Sequence, residues 1–328
     1  MNLSTGKQKT LGSVVRCSGV GLHTGRMVQM TLSPAAVNTG ITFIRTDIDN
    51  GEGARAQVAA QYHHVTDTML GTTIENMYGT KVSTIEHLMA ALWGLGVDNA
   101  IIEVGGPEVP IMDGSSDPFV FLIECAGVVE QTDARRILKI DQTLTVSEGD
   151  STITIMPYDG FVLDVEIAFN HAVISQQQAE YDFSRVTFRQ MLSRARTFGF
   201  ARDVERMQSL GLARGGSLNN AIVIGDEQVL NEDGLRYDDE FVRHKALDCV
   251  GDFFLAGMRI EGRVMAYKPG HGINNKLLKT IFAHKNAWHI KDGLSLASTP
   301  DMIARPTTAH MTTGASALVG AAMLPAKW

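Results

Sequence analysis

The stretch Arg243-His244-Lys245-Ala246-Leu247-Asp248-Cys249-Val250-Gly251-Asp252 reads as the body of a helix running from Glu240 to Phe254. Ala246, Leu247, Val250, Phe253 and Phe254 supply its packing face. The helical repeat then stacks His244, Asp248 and Asp252 one turn apart on a second stripe. An imidazole and a carboxylate one turn apart can hold a divalent metal. Two carboxylates and an imidazole beside an apolar face are costly to bury unless paired, and a metal would offset that cost. The competing reading is an ordinary helix with a chance His-x-x-x-Asp pair.

The layout around this helix occurs twice. Ser83 to Trp93 reads as a helix with His87 in its early turns. A glycine, an apolar strand from Asn99 to Val104, the loop Met112-Asp113-Gly114 and a helix from Pro118 to Cys125 follow. After the His244 helix come Gly257, a strand from Arg263 to Tyr267, the loop Gly270-His271-Gly272 and a helix from Asn274 to Ala283. A repeated order of elements implies an internal duplication. The expected fold is α+β, with two similar domains packed face to face and His87 and His244 brought to a common cleft.

The first domain is expected over residues 1–133 and the second over 134–305. The polar run Thr132-Asp133-Ala134-Arg135-Arg136 marks the break. Further strands are expected at Val28–Leu32, Gly40–Ile44, from Ile137, and at Leu144–Val146, Ser151–Met156 and Phe161–Phe169. Phe183 to Arg194 reads as helical, and Asp203 to Leu210 as a short helix capped by Asp203. Residues 306–328 are small and polar, then small and apolar, and read as a tail outside both domains.

A chain of 328 residues is long for one core. Its net charge of −7 argues against a broad nucleic-acid-binding surface. Cys17, Cys125 and Cys249 are scattered and odd in number, as expected in a reducing compartment. The first ten residues carry no apolar signal core, and no run approaches a transmembrane length. A cytoplasmic protein without stable membrane insertion is the expectation.

Glu86-His87 and Pro269-Gly270-His271 could complete a catalytic centre around His244 and Asp248. Together they supply a third ligand, a carboxylate base and a further imidazole, the inventory of a water-activating zinc hydrolase. Each residue also has a plainer reading. Ser83 and Glu86 have capping-box spacing, which would make Glu86 a helix-terminal cap instead of a general base. His271 is either a surface-loop residue or an imidazolium that stabilises an oxyanion and protonates a leaving amine, held charged by Asp252. Lys245 and Lys268 either hold an anionic group such as a phosphate or are solvated. His23, framed by glycines, either lines the cleft or sits in a hairpin. Gly211-Leu212-Ala213-Arg214-Gly215-Gly216-Ser217 lacks the setting and the Gly-Lys-Ser/Thr ending of a phosphate-binding loop.

Several segments occur in one order: Ser18 to Gly25, Ser83 to Leu92, Ser193-Arg194-Ala195-Arg196-Thr197-Phe198-Gly199-Phe200, Asn231 to Tyr237, His244 to Asp252, and Gly270-His271. In these the chain resembles the UDP-3-O-acyl-N-acetylglucosamine deacetylases, zinc amidases of lipid A biosynthesis in Gram-negative bacteria. The resemblance spans Leu11 to Arg305. It implies two domains, each a sheet backed by two helices, with an inserted βαβ unit near 199–231 lining a passage for the acyl chain. It implies one Zn²⁺ on His87, His244 and Asp248, although a His/His/Asp set also admits Fe²⁺. It makes Glu86 the base, His271 the acid or oxyanion stabiliser held by Asp252, and Thr197 a hydrogen-bond donor to the tetrahedral intermediate. Lys245 becomes a substrate contact, Phe169 and Lys268 lie near the nucleotide, and Phe198 lies near the sugar. The implied partner is an acylated UDP-sugar. In two places the chain departs from the pattern. Gly71 stands where some members carry a cysteine near the metal. The tail does not match by sequence, although small-residue tails serve some members as a protease handle, a role open to Ala317–Pro325.

Overall fold

The computed structural model describes residues 6–48 and 53–293. The expected tail lies outside the described residues. In the first half, five strands form one sheet in the order Val15–Val20, Met27–Pro34, Ala100–Val104, Ile41–Arg45 and Gln57–Ala59. All pairings are antiparallel except that of Ile41–Arg45 with Ala100–Val104. Met27–Pro34 shows why the sheet has an inside. Val28, Met30 and Leu32 are buried on one face, while Met27 and Gln29 point outward. The helices Glu86–Leu95 and Asp117–Ala126 belong to this half and pack on each other.

The second half repeats the plan on a larger scale. Its seven-stranded sheet is organised around Arg259–Tyr267, which pairs in parallel with Arg136–Ile140 and Phe161–Ala168 and antiparallel with Ser151–Met156. Leu144–Glu148, Gln176–Asp182 and Trp288–Asp292 extend it. The helices Glu240–Phe254 and His271–Ala283 lie against its strands. Phe198–Phe200, the helix Ala201–Ser209 and Ile222–Ile224 form a strand–helix–strand unit whose two strands run parallel. Among the described residues, no helix is long and apolar enough to cross a membrane.

Several local expectations need correction. The polar run at residues 132–136 is not a break in the strands. Val128–Ala134 is a strand paired antiparallel with Lys7–Leu11. Phe183 to Arg194 contains only one helical turn, Phe188–Met191, capped by the Thr187 hydroxyl. The helix after Phe200 starts two residues earlier than read, so Asp203 lies inside its first turn and is not its cap. The last long helix begins at His271, so this residue is helical and does not sit in a loop. His63 and His64 share a 3₁₀ turn, with ring centroids 4.3 Å apart.

The Glu86 and Glu240 helices pack directly on each other. Gly251 makes their close crossing feasible, because a Cβ there would come within 2.1 Å of the Glu86 carbonyl oxygen. The obstacle is backbone, which cannot turn aside as a side chain can. Gly251→Ala is therefore expected to destabilise the fold by at least about 1–3 kcal/mol, the usual cost of overpacking. Urea unfolding of the two proteins measures it, and an unchanged midpoint would refute the crossing.

Candidate active site

His87, His244 and Asp248 converge from the two crossed helices. One ligand atom from each lies within 4.8 Å of the others, and all three residues are buried. The Nε2 atoms of His87 and His244 stand 3.7 and 3.3 Å from Asp248 Oδ1. His244 Nδ1 lies 3.0 Å from the Ala195 carbonyl oxygen. Donation to that carbonyl places the proton on Nδ1 and leaves Nε2 as a lone pair facing Asp248. The Ala195 carbonyl is itself well anchored. Next to it, Arg196 is buried and gives its Nε to Glu240 Oε1 at 2.9 Å and its backbone N–H to the same oxygen at 3.0 Å.

Electrostatics prepare these groups for a cation. Burial, followed by the neighbouring His244, lowers the His87 pKa to about 3. Burial also lowers that of His244. Both imidazoles are therefore neutral at physiological pH. Burial works against charge on Asp248, but His244 and Lys245 outweigh it and hold the carboxyl well below its usual range. Lys245 Nζ donates to Asp248 Oδ2 at 3.0 Å. The other oxygen, Oδ1, is buried without a hydrogen-bond partner. An orphaned anionic oxygen between two imidazole lone pairs is costly by itself and suits a divalent cation.

Glu86 is not a helix cap. It is the first residue of its helix, no side chain caps that end, and the Ser83 hydroxyl accepts from Thr73 instead. Its Oε2 accepts the Thr72 backbone N–H at 2.9 Å. Burial raises its pKa to about 7; His271 pulls against this, while Asp248 and Asp252 add to it. A Cβ at residue 71 would lie 3.0 Å from Glu86 Oε1, so Gly71 gives this carboxylate more room than a cysteine would.

His271 Nε2 is 3.9 Å from Glu86 Oε1, and its Nδ1 is 2.8 Å from Asp252 Oδ2. Burial favours a neutral ring, but Asp252 and Glu86 outweigh it and raise the pKa to about 9. The carboxylate and the charged imidazole thus stand side by side with opposite proton-transfer capacities.

These groups open into a cavity of about 550 Å³ lined by Glu86, His87, Thr197, Phe198, His244, Lys245, Asp248, Lys268 and His271. Asp252 stands behind His271 and does not line it. Phe169 is also set back, its ring centroid 5.9 Å from that of Phe198. Thr197 is placed from both halves: its N–H donates to the Gly114 carbonyl at 2.8 Å, and its own carbonyl accepts from Ile222 at 2.7 Å. Lys268 is paired with Asp150 at the cavity rim. His23 is outside the lining. It contacts the Leu70 carbonyl at 3.3 Å and the Ala213 N–H at 3.4 Å, while its neighbour Leu22 faces the cavity.

A profile of the UDP-3-O-acyl N-acetylglycosamine deacetylase (LpxC) family matches residues 8–283. The chain belongs to this family. Among family relatives named UDP-3-O-acyl-N-acetylglucosamine deacetylase, that of Mannheimia succiniciproducens is 51% identical over 284 residues, 86% of this chain and 92% of its own. That of Pasteurella multocida is 50% identical over the same shares. That of Hahella chejuensis is 47% identical over 286 residues, 87% of this chain and 93% of its own.

The site includes two residues that the sequence reading missed. Thr72 donates its hydroxyl to Asp252 Oδ1 at 2.6 Å, and Asn274 donates to Asp252 Oδ2 at 2.8 Å. Thr72 is 180 positions from its partner. Asn274 lies one turn beyond His271 on the same helix, a spacing that would have pointed to it had that helix been read from His271.

Proposed function

We propose that this chain hydrolyses the N-acetyl amide of a UDP-3-O-acyl-N-acetylglucosamine, releasing acetate in lipid A biosynthesis, with Zn²⁺ as its resident metal and the cytoplasm as its location. One observation carries the reading. A three-ligand cluster with an orphaned carboxylate oxygen shares a cavity with a buried carboxylate and a charged imidazole. Family membership and the relatives' names supply the substrate.

His87, His244 and Asp248 would hold the ion. When bound, it supplies Lewis-acid activation of water and of the amide carbonyl. Glu86 takes the proton of the attacking water, for which a pKa near neutrality is well matched. Thr197 donates to the oxygen on which negative charge develops, and charged His271 adds to that stabilisation. The C–N bond then breaks, and the leaving nitrogen takes its proton from His271. Asp252 orients that imidazole. Lys245 and Lys268 offer cations to the anionic part of the substrate, and Phe198, with Phe169 packed behind it, offers an aromatic wall to the sugar and nucleotide. The βαβ unit at 199–231 takes the acyl chain. The two domains, 1–133 and 134–305, face each other across this cleft.

Acetate release from the acylated UDP-sugar by metal-loaded protein tests the reading. The expected result is one acetate per free amine formed, faster with the acylated substrate than with UDP-N-acetylglucosamine. Folded, metal-loaded protein that releases no acetate from the acylated substrate would overturn it.

A further inference from the structure

We propose that Thr72 is a positioning residue that ties the proton acceptor and the proton donor of the site into one frame. The inference rests on the hydrolase reading above. Thr72 is 2% exposed and donates two hydrogen bonds to two different carboxylates. Its backbone N–H donates to Glu86 Oε2, and its hydroxyl donates to Asp252 Oδ1. Asp252 passes the constraint on through Oδ2, which lies against His271 Nδ1. A connected chain therefore runs Glu86, Thr72, Asp252, His271.

The geometry explains what each link fixes. A carboxylate held on one oxygen alone can swing about its Cβ–Cγ bond. Asp252 is held on both: Oδ2 meets His271 and Asn274, and Oδ1 is met by Thr72. The hydroxyl thereby fixes the plane of Asp252 and, through it, the ring of His271. The backbone N–H sets the rotamer of Glu86. Because both contacts come from one residue, a shift of the segment between Gly71 and Thr73 would displace the acceptor and the donor together. Outer partners that orient catalytic groups commonly matter by one to two orders of magnitude.

Valine has the shape of threonine without the hydroxyl, and serine keeps the hydroxyl without the methyl. With metal-loaded proteins, Thr72→Val is expected to lower kcat about tenfold or more with KM within about twofold of the parent, whereas Thr72→Ser keeps kcat within about threefold. Metal content is expected to be equal in all three. A second readout does not depend on turnover: the downfield imidazole N–H proton resonance of His271, assigned by its loss in His271→Ala. It is expected to shift or broaden in Thr72→Val and to keep its parent position in Thr72→Ser. If Thr72→Val does not fold, Thr72→Ala carries the same test. Parental kcat in the hydroxyl-less variant, a serine variant as impaired as the valine one, or an unmoved resonance would each overturn the proposal. If the parent itself releases no acetate, the hydrolase reading fails and the resonance alone decides the role of Thr72.

Discussion

Glu86→Gln is expected to lower acetate release by about 10²–10⁴-fold, the range for loss of a general acid or base, with fold and metal content unchanged. Glutamine has nearly the same shape and can still accept the Thr72 N–H through its amide oxygen. It cannot take up a proton near neutral pH. The substitution also separates the two readings that the sequence left open, because glutamine serves in a capping box as well as glutamate does. A cap would tolerate the change; a base would not. Turnover of the metal-loaded variant within a few-fold of the parent would remove Glu86 from the proton transfer.

The second large effect is expected at His271. In the proposed mechanism His271→Ala removes the proton donor to the leaving nitrogen, and kcat is expected to fall by a similar factor of about 10²–10⁴. The pH profile makes the test sharper. The proposed mechanism requires Glu86 without its proton and His271 with its own, so activity is expected to rise as Glu86 deprotonates and to fall as His271 deprotonates. Burial sets the first pKa at about 7, and Asp252 and Glu86 hold the second at about 9 against burial. A cation on the adjacent ligands lowers both, so the acid limb is expected at or below about 7 and the alkaline limb at or below about 9. The residual activity of His271→Ala should lack the alkaline limb. A profile that keeps this limb in the variant would assign it to another group.

Much of this site was legible because its helices carry strong local signals. The Glu240–Phe254 helix has the bounds its periodicity predicts, and its buried stripe carries His244, Asp248 and Asp252. The five-strand sheet was visible where burial on one face forces alternation, as in Val28, Met30 and Leu32. Legibility fell where partners at a distance decide the structure. Gln176–Asp182 is poor in strand-forming residues and is a strand because Phe161–Ala168 pairs with it along seven positions. The polar run at residues 132–136 looked like a break between strands because a two-stranded ribbon buries little and needs no apolar alternation. The apparent capping box failed for a related reason. The Glu86 carboxylate turns to Thr72, outside its own helix, and the spacing from Ser83 could not show that.

The proposed mechanism needs His87, His244 and Asp248 to bind one divalent cation. Metal analysis of protein purified without chelator, alongside its His87→Ala variant, tests it most directly. About one equivalent of metal per chain is expected in the parent, as three-ligand catalytic sites hold, with clear loss in the variant. A folded His87→Ala protein that retains the full equivalent would contradict it.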